Sequence, residues 1–129
     1  MRVNAVLLVI LFLSACRTMG TGQDEQLHKL AHTPLYCEEG KTCDMMWEKA
    51  LLWVEQNSVF KIDKQTDTMI TTKDPFGSTS VPTFSIKKLP LDDDKYEIVL
   101  KVDCAHQVVC SPTLELKKAD FVKFILEEN

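Results

Sequence analysis

Apolar residues recur at three- and four-residue spacings through residues 43–57, where Met46, Trp47, Ala50, Leu51, Trp53 and Val54 fall on one broad face. That spacing predicts a helix. Thr42 is placed to cap its start, Asp44 suits the positive end of its dipole, and Asn57-Ser58 mark a stop. Two tryptophans on one helix suggest either a ligand platform or core, and their spacing along the apolar face favours core.

After the helix the period shortens to two. Residues 59–63 alternate through Phe60 and Ile62, residues 65–67 read as a turn, and the β-branched run 68–72 returns as a hairpin. Asp74-Pro75-Phe76-Gly77-Ser78 breaks the alternation with turn formers around an aromatic. Phe76 is therefore a candidate contact residue, with tucking back into the body as the alternative. Alternation resumes over 83–88 through Phe84 and Ile86, after Val81-Pro82, which suits an edge start. The clearest strand is 95–103, with Tyr96, Ile98, Leu100 and Val102 on one face and Glu97, Lys101 and Asp103 on the other.

A second helix is expected over residues 117–128, with Phe121, Phe124 and Ile125 as its apolar face. Ser111-Pro112 offers a cap and first-turn pair, but Thr113-Leu114-Glu115-Leu116 alternates as a strand would. The order α-β-β-β-β-α predicts an α+β two-layer sandwich: an antiparallel sheet of about four strands with two helices on one face.

The first residues carry a different pattern. Met1-Arg2 precede an apolar stretch broken only by Asn4, and Leu13-Ser14-Ala15-Cys16 closes it, a secretory layout too short to remain as a membrane-spanning helix. The four closing residues resemble the bacterial lipobox: aliphatic, small, small, cysteine. The resemblance implies cleavage after residue 15 and acyl chains on Cys16, more than one of which is needed for stable anchoring. Arg17 stands where an aspartate would resemble an inner-membrane retention signal, so the expected address is the outer membrane, with the domain facing the periplasm. Residues 16–34 read as the lipidated end and a flexible polar tether, whose mean span would be roughly 20–25 Å. Leu27, Leu30 and Ala31 offer one amphipathic turn by which part of it would dock. Residues 35–129 then form the single domain.

Charge narrows the partners. The chain has 15 basic and 19 acidic side chains, a formal −4, and loss of Arg2 makes the processed form more acidic. This balance carries no footprint for nucleic acid or for anionic lipid head groups, so membrane contact would rest on the acyl chains.

With Cys16 spent on lipid, four of the five cysteines remain, in two identical spacings: Cys37 with Cys43 and Cys104 with Cys110. An even count in an exported chain reads as disulfides, and the matched spacing favours the two local bridges among three connectivities. The rivals are a four-thiolate zinc site, with His106 as a further candidate ligand, and a redox pair; neither fits well, because zinc knuckles are tighter and no Cys-x-x-Cys is present.

Catalytic signatures are scarce. No G-x-S-x-G, H-E-x-x-H, Walker loop or dinucleotide fingerprint occurs, and Asp92-Asp93-Asp94 lacks the ligand spacing of a calcium loop. His28 and His32 sit at i,i+4 spacing in the tether and read as solvated, with metal chelation the alternative. His106 beside Asp103 offers a base and orienter, with Ser111 the nearest nucleophile. No cofactor is implied.

Trp47, Ala50, Leu51 and Val54 on a helix, then Phe60-Lys61-Ile62-Asp63, then Met69-Ile70-Thr71-Thr72, resemble the helix, strand and I-x-T progression of small envelope lipoprotein domains of the BamC type. The resemblance covers under a third of the chain. Four cysteines and the absence of glycine before Ile70 depart from it, so no partner is carried over. The expected role is a non-catalytic envelope interaction or assembly module. A small-ligand or cell-wall binding protein, using the wet sheet face or the Phe76 loop, is the alternative, and an envelope enzyme comes third.

Overall fold

In the computed structural model, which describes residues 21–77, 81–104 and 107–127, the chain runs through three helices and five strands. In order these are α1 (Thr21–Ala31), β1 (Leu35–Glu38), α2 (Lys41–Asn57), β2 (Ile62–Gln65), β3 (Met69–Thr72), β4 (Thr83–Asp92), β5 (Lys95–Asp103) and α3 (Gln107–Leu126). The strands form one open antiparallel sheet in the order β1-β5-β4-β3-β2. The fold is α+β, with one strand and one helix more than the sequence pattern predicts.

The alternation along β4 and β5 explains the layering. Phe84 and Ile86 on β4 and Ile98 and Val102 on β5 are buried on one face, where they meet Trp53 and Val54 of α2 and Phe121, Val122 and Ile125 of α3. Trp53 lies at the centre, edge-on to Phe84 at 5.0 Å and to Phe121 at 5.1 Å between ring centroids. Such tilted pairs set the electropositive ring edge against a π-face, beyond the gain from burial. The indole N–H donates to Asp120 Oδ2 at 2.8 Å, so this core residue keeps its polar atom paired.

Polar links tie α2 to α3 at the rim. Lys117 Nζ donates to Asn57 Oδ1 at 2.9 Å, and the Asn57 amide donates to the Trp53 carbonyl at 3.0 Å. Lys49 Nζ donates to the backbone carbonyl of Glu127, placing a cation at the negative end of α3. On the sheet, the one buried polar residue among those described, Thr72, accepts the Phe84 N–H at 2.9 Å through its hydroxyl.

The additional strand is β1. Leu35 and Cys37 point into the core while Tyr36 and Glu38 point out, and the segment pairs with β5 from Leu35↔Ile98 to Glu38↔Lys95. Cys37 stands within disulfide-bonding distance of Cys43 in the first turn of α2. The additional helix is α1, which packs on α3 and lies where the sequence pattern suggested a flexible tether. Ala31 is buried and Leu30 packs against the core, so the narrow stripe is enough to dock this helix.

Four boundaries shift for local reasons. α2 starts at Lys41, not at residue 43, and Gly40 rather than Thr42 takes the cap position, its carbonyl accepting the Asp44 N–H at 3.0 Å. Gly40 has φ 106°, a conformation that favours glycine. The strand expected over 59–63 begins at Ile62, because the Ser58 hydroxyl closes a turn with the backbone of Phe60 and leaves Val59 outside. β4 runs on to Asp92, past the expected end at residue 88, because pairing with β5 continues through Pro90↔Tyr96 to Asp92↔Lys95. α3 starts at Gln107, and Cys110 in its first turn stands within disulfide-bonding distance of Cys104 at the end of β5. Thr113-Leu114-Glu115-Leu116 is thus helical: Leu114 packs on the core and Glu115 faces α1.

Candidate interaction surface

All three helices lie on or behind one face of the sheet, so the outward positions of the strands form an uncovered surface. The register places Tyr36 of β1 opposite Glu97 of β5, Glu97 opposite Leu89 of β4, and Val99 of β5 opposite Lys87. Tyr36, Leu89 and Val99 therefore surround Glu97. Directly opposed residues on one sheet face stand close enough for their side chains to meet. Tyr36 is 59% exposed, and Leu89, Leu91 and Val99 are exposed with it. Tyr36 and Leu91 also line a shared cleft of about 490 Å³ together with Glu38, Thr42 and Lys95. The patch is a set of apolar side chains around the Glu97 carboxylate, with Glu38 and Lys95 at its rim.

Tyr36 is held by more than strand pairing. It follows buried Leu35 and precedes buried Cys37, so its backbone is fixed by two inward anchors and by the bridge to Cys43. Behind β5, Lys88 Nζ lies over the rings of Trp47 and Tyr96 at 5.4 and 5.6 Å from their centroids, closing the inward side of the same region.

Phe76 is 78% exposed and does not tuck into the body. Asp74 Oδ1 accepts the Phe76 N–H at 2.7 Å, and Gly77 follows at φ 66°, so a side-chain turn aims the ring outward. Val59 is equally exposed, and with Phe60, Ile62 and Pro75 it lines a cleft of about 660 Å³ beside this loop. The loop lies at the Thr83↔Asp103 end of the sheet, whereas Leu89, Leu91 and Tyr36 lie towards the Asp92↔Lys95 end. The structure does not bring Phe76 and the Tyr36 patch together.

The histidines of α1 gain a partner from α3 that sequence spacing does not reveal. His28 Nδ1 lies 2.5 Å from Glu115 Oε1, His32 Nδ1 lies 3.9 Å from the same oxygen, and the two rings are 4.3 Å apart. His32 Nδ1 is also 2.9 Å from the His28 carbonyl. The i,i+4 spacing showed that the rings would be neighbours on a helix, but only the packing of α1 on α3 supplies the carboxylate.

The remaining candidate residues separate. Trp53 is core, and Trp47 is half-buried under Lys88, as their helical spacing indicated. Asp103 pairs with Lys101 at 3.0 Å. Cys16, the lipobox, His106 and the Ser111 side chain lie outside the described residues. No described helix is long and apolar enough to cross a membrane. Comparison with known proteins finds no matching family model, no similar curated protein and no similar solved structure.

Proposed function

We propose that the chain is a non-catalytic lipoprotein, held to the outer membrane by acyl chains on Cys16, whose periplasmic domain serves as an envelope interaction or assembly module. The observation that carries this reading is the uncovered sheet face, where Tyr36, Leu89, Leu91 and Val99 stand exposed together on paired strands. Exposed apolar side chains clustered around one carboxylate suit a protein contact surface, in which tyrosine is a preferred anchor. The occupant is an envelope protein presenting apolar side chains around a group that donates to the Glu97 carboxylate.

A photo-crosslinking residue at position 36 in intact cells should capture one reproducible partner, and the same residue at Lys64, on β2, should not. Tyr36→Glu combined with Leu89→Asp should weaken capture by about thirtyfold, equivalent to roughly 2 kcal/mol at a contact anchor, without moving the unfolding midpoint. Equal capture from both positions, or none from position 36, would refute this assignment. Cys16→Ala should release the domain from membranes or stall it as the precursor, and normal fractionation would refute the anchor.

The cleft shared by Tyr36 and Leu91 supports a second reading, a small-ligand or cell-wall binding protein. Apolar walls with a few polar groups, here Glu38, Thr42 and Lys95, are the usual lining of such sites. A rise in unfolding temperature with soluble peptidoglycan fragments, abolished by Tyr36→Ala, would favour it over protein docking.

A further inference from the structure

We infer that His28, His32 and Glu115 form a binding site for a divalent transition-metal ion of the zinc class, bridging α1 to α3. One donor atom from each of the three residues lies within 4.8 Å of those of the other two. Metal–nitrogen and metal–carboxylate bonds of about 2.0–2.2 Å place tetrahedral ligand atoms about 3.3 Å apart. His28 Nδ1 already stands 2.5 Å from Glu115 Oε1, inside this spacing, and the His32 ring lies 4.3 Å from the His28 ring. Small rotations of partly exposed side chains therefore open the site without moving either helix.

The ligand chemistry selects the ion. Two imidazoles and one carboxylate suit zinc, cobalt, nickel or copper, whereas magnesium and calcium require more oxygen ligands than this site offers. Three protein ligands leave the fourth position to water. His32 Nδ1, 2.9 Å from the His28 carbonyl, has a backbone acceptor that fixes a protonated Nδ1 and presents the Nε2 lone pair. At His28 the ion takes the position of the proton between Nδ1 and Glu115, and a neutral ring carries that proton on Nε2 instead.

The site uses none of the residues of the Tyr36 patch as ligands, although His32 lines a cleft with Glu97 and Val99. The last turn of α1 reaches His32, whose N–H donates to the His28 carbonyl at 3.2 Å, and buried Ala31 anchors that turn. On α3, Glu115 follows Leu114, which packs on the core. A bound ion thus adds a crosslink between α1 and the body, beside the docking of Leu30 and Ala31, where the exposed contacts of Glu115 with His28 and His32 contribute little by themselves.

The test uses the full chain in detergent, carrying no polyhistidine tag, with disulfides oxidised, any free thiol alkylated, and metal removed by EDTA. Zinc is titrated against a chromophoric chelator, and cobalt serves as a spectroscopic probe. We expect one equivalent of zinc per chain and a cobalt visible band of tetrahedral or five-coordinate intensity. His28→Ala, His32→Ala and Glu115→Gln should each weaken binding by at least the roughly 10–100-fold typical of losing even an outer partner of a metal site. His106→Ala should retain full affinity. Unchanged far-UV circular dichroism in the apo variants separates ligand loss from misfolding. Absence of stoichiometric zinc binding by the folded chain, or binding that survives the His28→Ala, His32→Ala double variant, would overturn the assignment.

Discussion

Trp53 and Asp120 provide a test of the core in which one hydrogen bond can be isolated. The indole is fully buried between Phe84 and Phe121, but its N–H reaches Asp120 Oδ2 at the solvent boundary. Asp120→Ala leaves that donor unpaired beside the core, at a cost of about 1–2 kcal/mol, the lower end applying where water reaches the rim. For a domain of this size each kcal/mol lowers the unfolding temperature by about 4–8 °C. Trp53→Phe removes the donor and part of the ring together, costing about 2–3 kcal/mol from the lost bond and residual void. The double variant should cost less than the sum of the two, because the bond is lost only once. The expected coupling is about 1 kcal/mol. Urea unfolding of the oxidised protein, followed by far-UV circular dichroism, reads all four corners of the cycle without depending on Trp53 fluorescence. A coupling below about 0.3 kcal/mol with unchanged urea slopes would show that the bond contributes no stability, and that the indole is held by packing alone.

Two further outcomes follow from the connections between elements. Replacing either bridge by serines, Cys37 with Cys43 or Cys104 with Cys110, should cost about 2.4 kcal/mol by the chain-entropy estimate for loops this short, read as a lower urea midpoint. Gly40→Ala should destabilise by about 1–3 kcal/mol because φ 106° is strained for an L side chain even though the added methyl meets nothing within 4 Å. Gly22→Ala, in open space within α1, should be neutral or stabilising by up to about 1 kcal/mol, and an equal loss at both positions would refute the strain argument.

The parts of the fold visible in the sequence are those whose pattern repeats several times within one element. α2 repeats its apolar spacing from Met46 to Val54, and β5 alternates from Tyr96 to Val102, so both were legible. The local cysteine pairs were legible because equal spacing sits beside each helix start. β1 was not, since four residues with two inward positions cannot be distinguished from a loop until β5 is brought alongside. α1 has polar composition and a narrow apolar stripe, and its packing surface is on α3, far away in sequence. Leu114 and Leu116 have the two-residue spacing of a strand face, but on the helix they separate, one packing on the core and the other exposed. The same non-local dependence hid the candidate sites. Tyr36 and Leu89 become neighbours only through Glu97, and the histidine pair meets Glu115 only when α1 docks on α3.

The two bridges fasten the molecule at different places, which gives the two sites different mechanical support. Cys37–Cys43 joins edge strand β1 to the helix behind it, immediately beside Tyr36, so it fixes the strand that borders the exposed patch. Cys104–Cys110 joins the far end of β5 to the first turn of α3, the helix that carries Glu115 and supports α1. Each bridge therefore couples the sheet, one at edge strand β1 and the other at the end of inner strand β5, to a helix whose packing would otherwise depend on contacts distant in the chain. A disulfide restricts the unfolded ensemble and leaves the side chains on the open sheet face unconstrained. Because Tyr36, Leu89 and Val99 stand on the outward face, substitutions there would test the proposed recognition without reaching the Trp53 core. That separation is what makes the outward sheet face suited to binding, since its apolar residues are supported from behind but contribute little to folding.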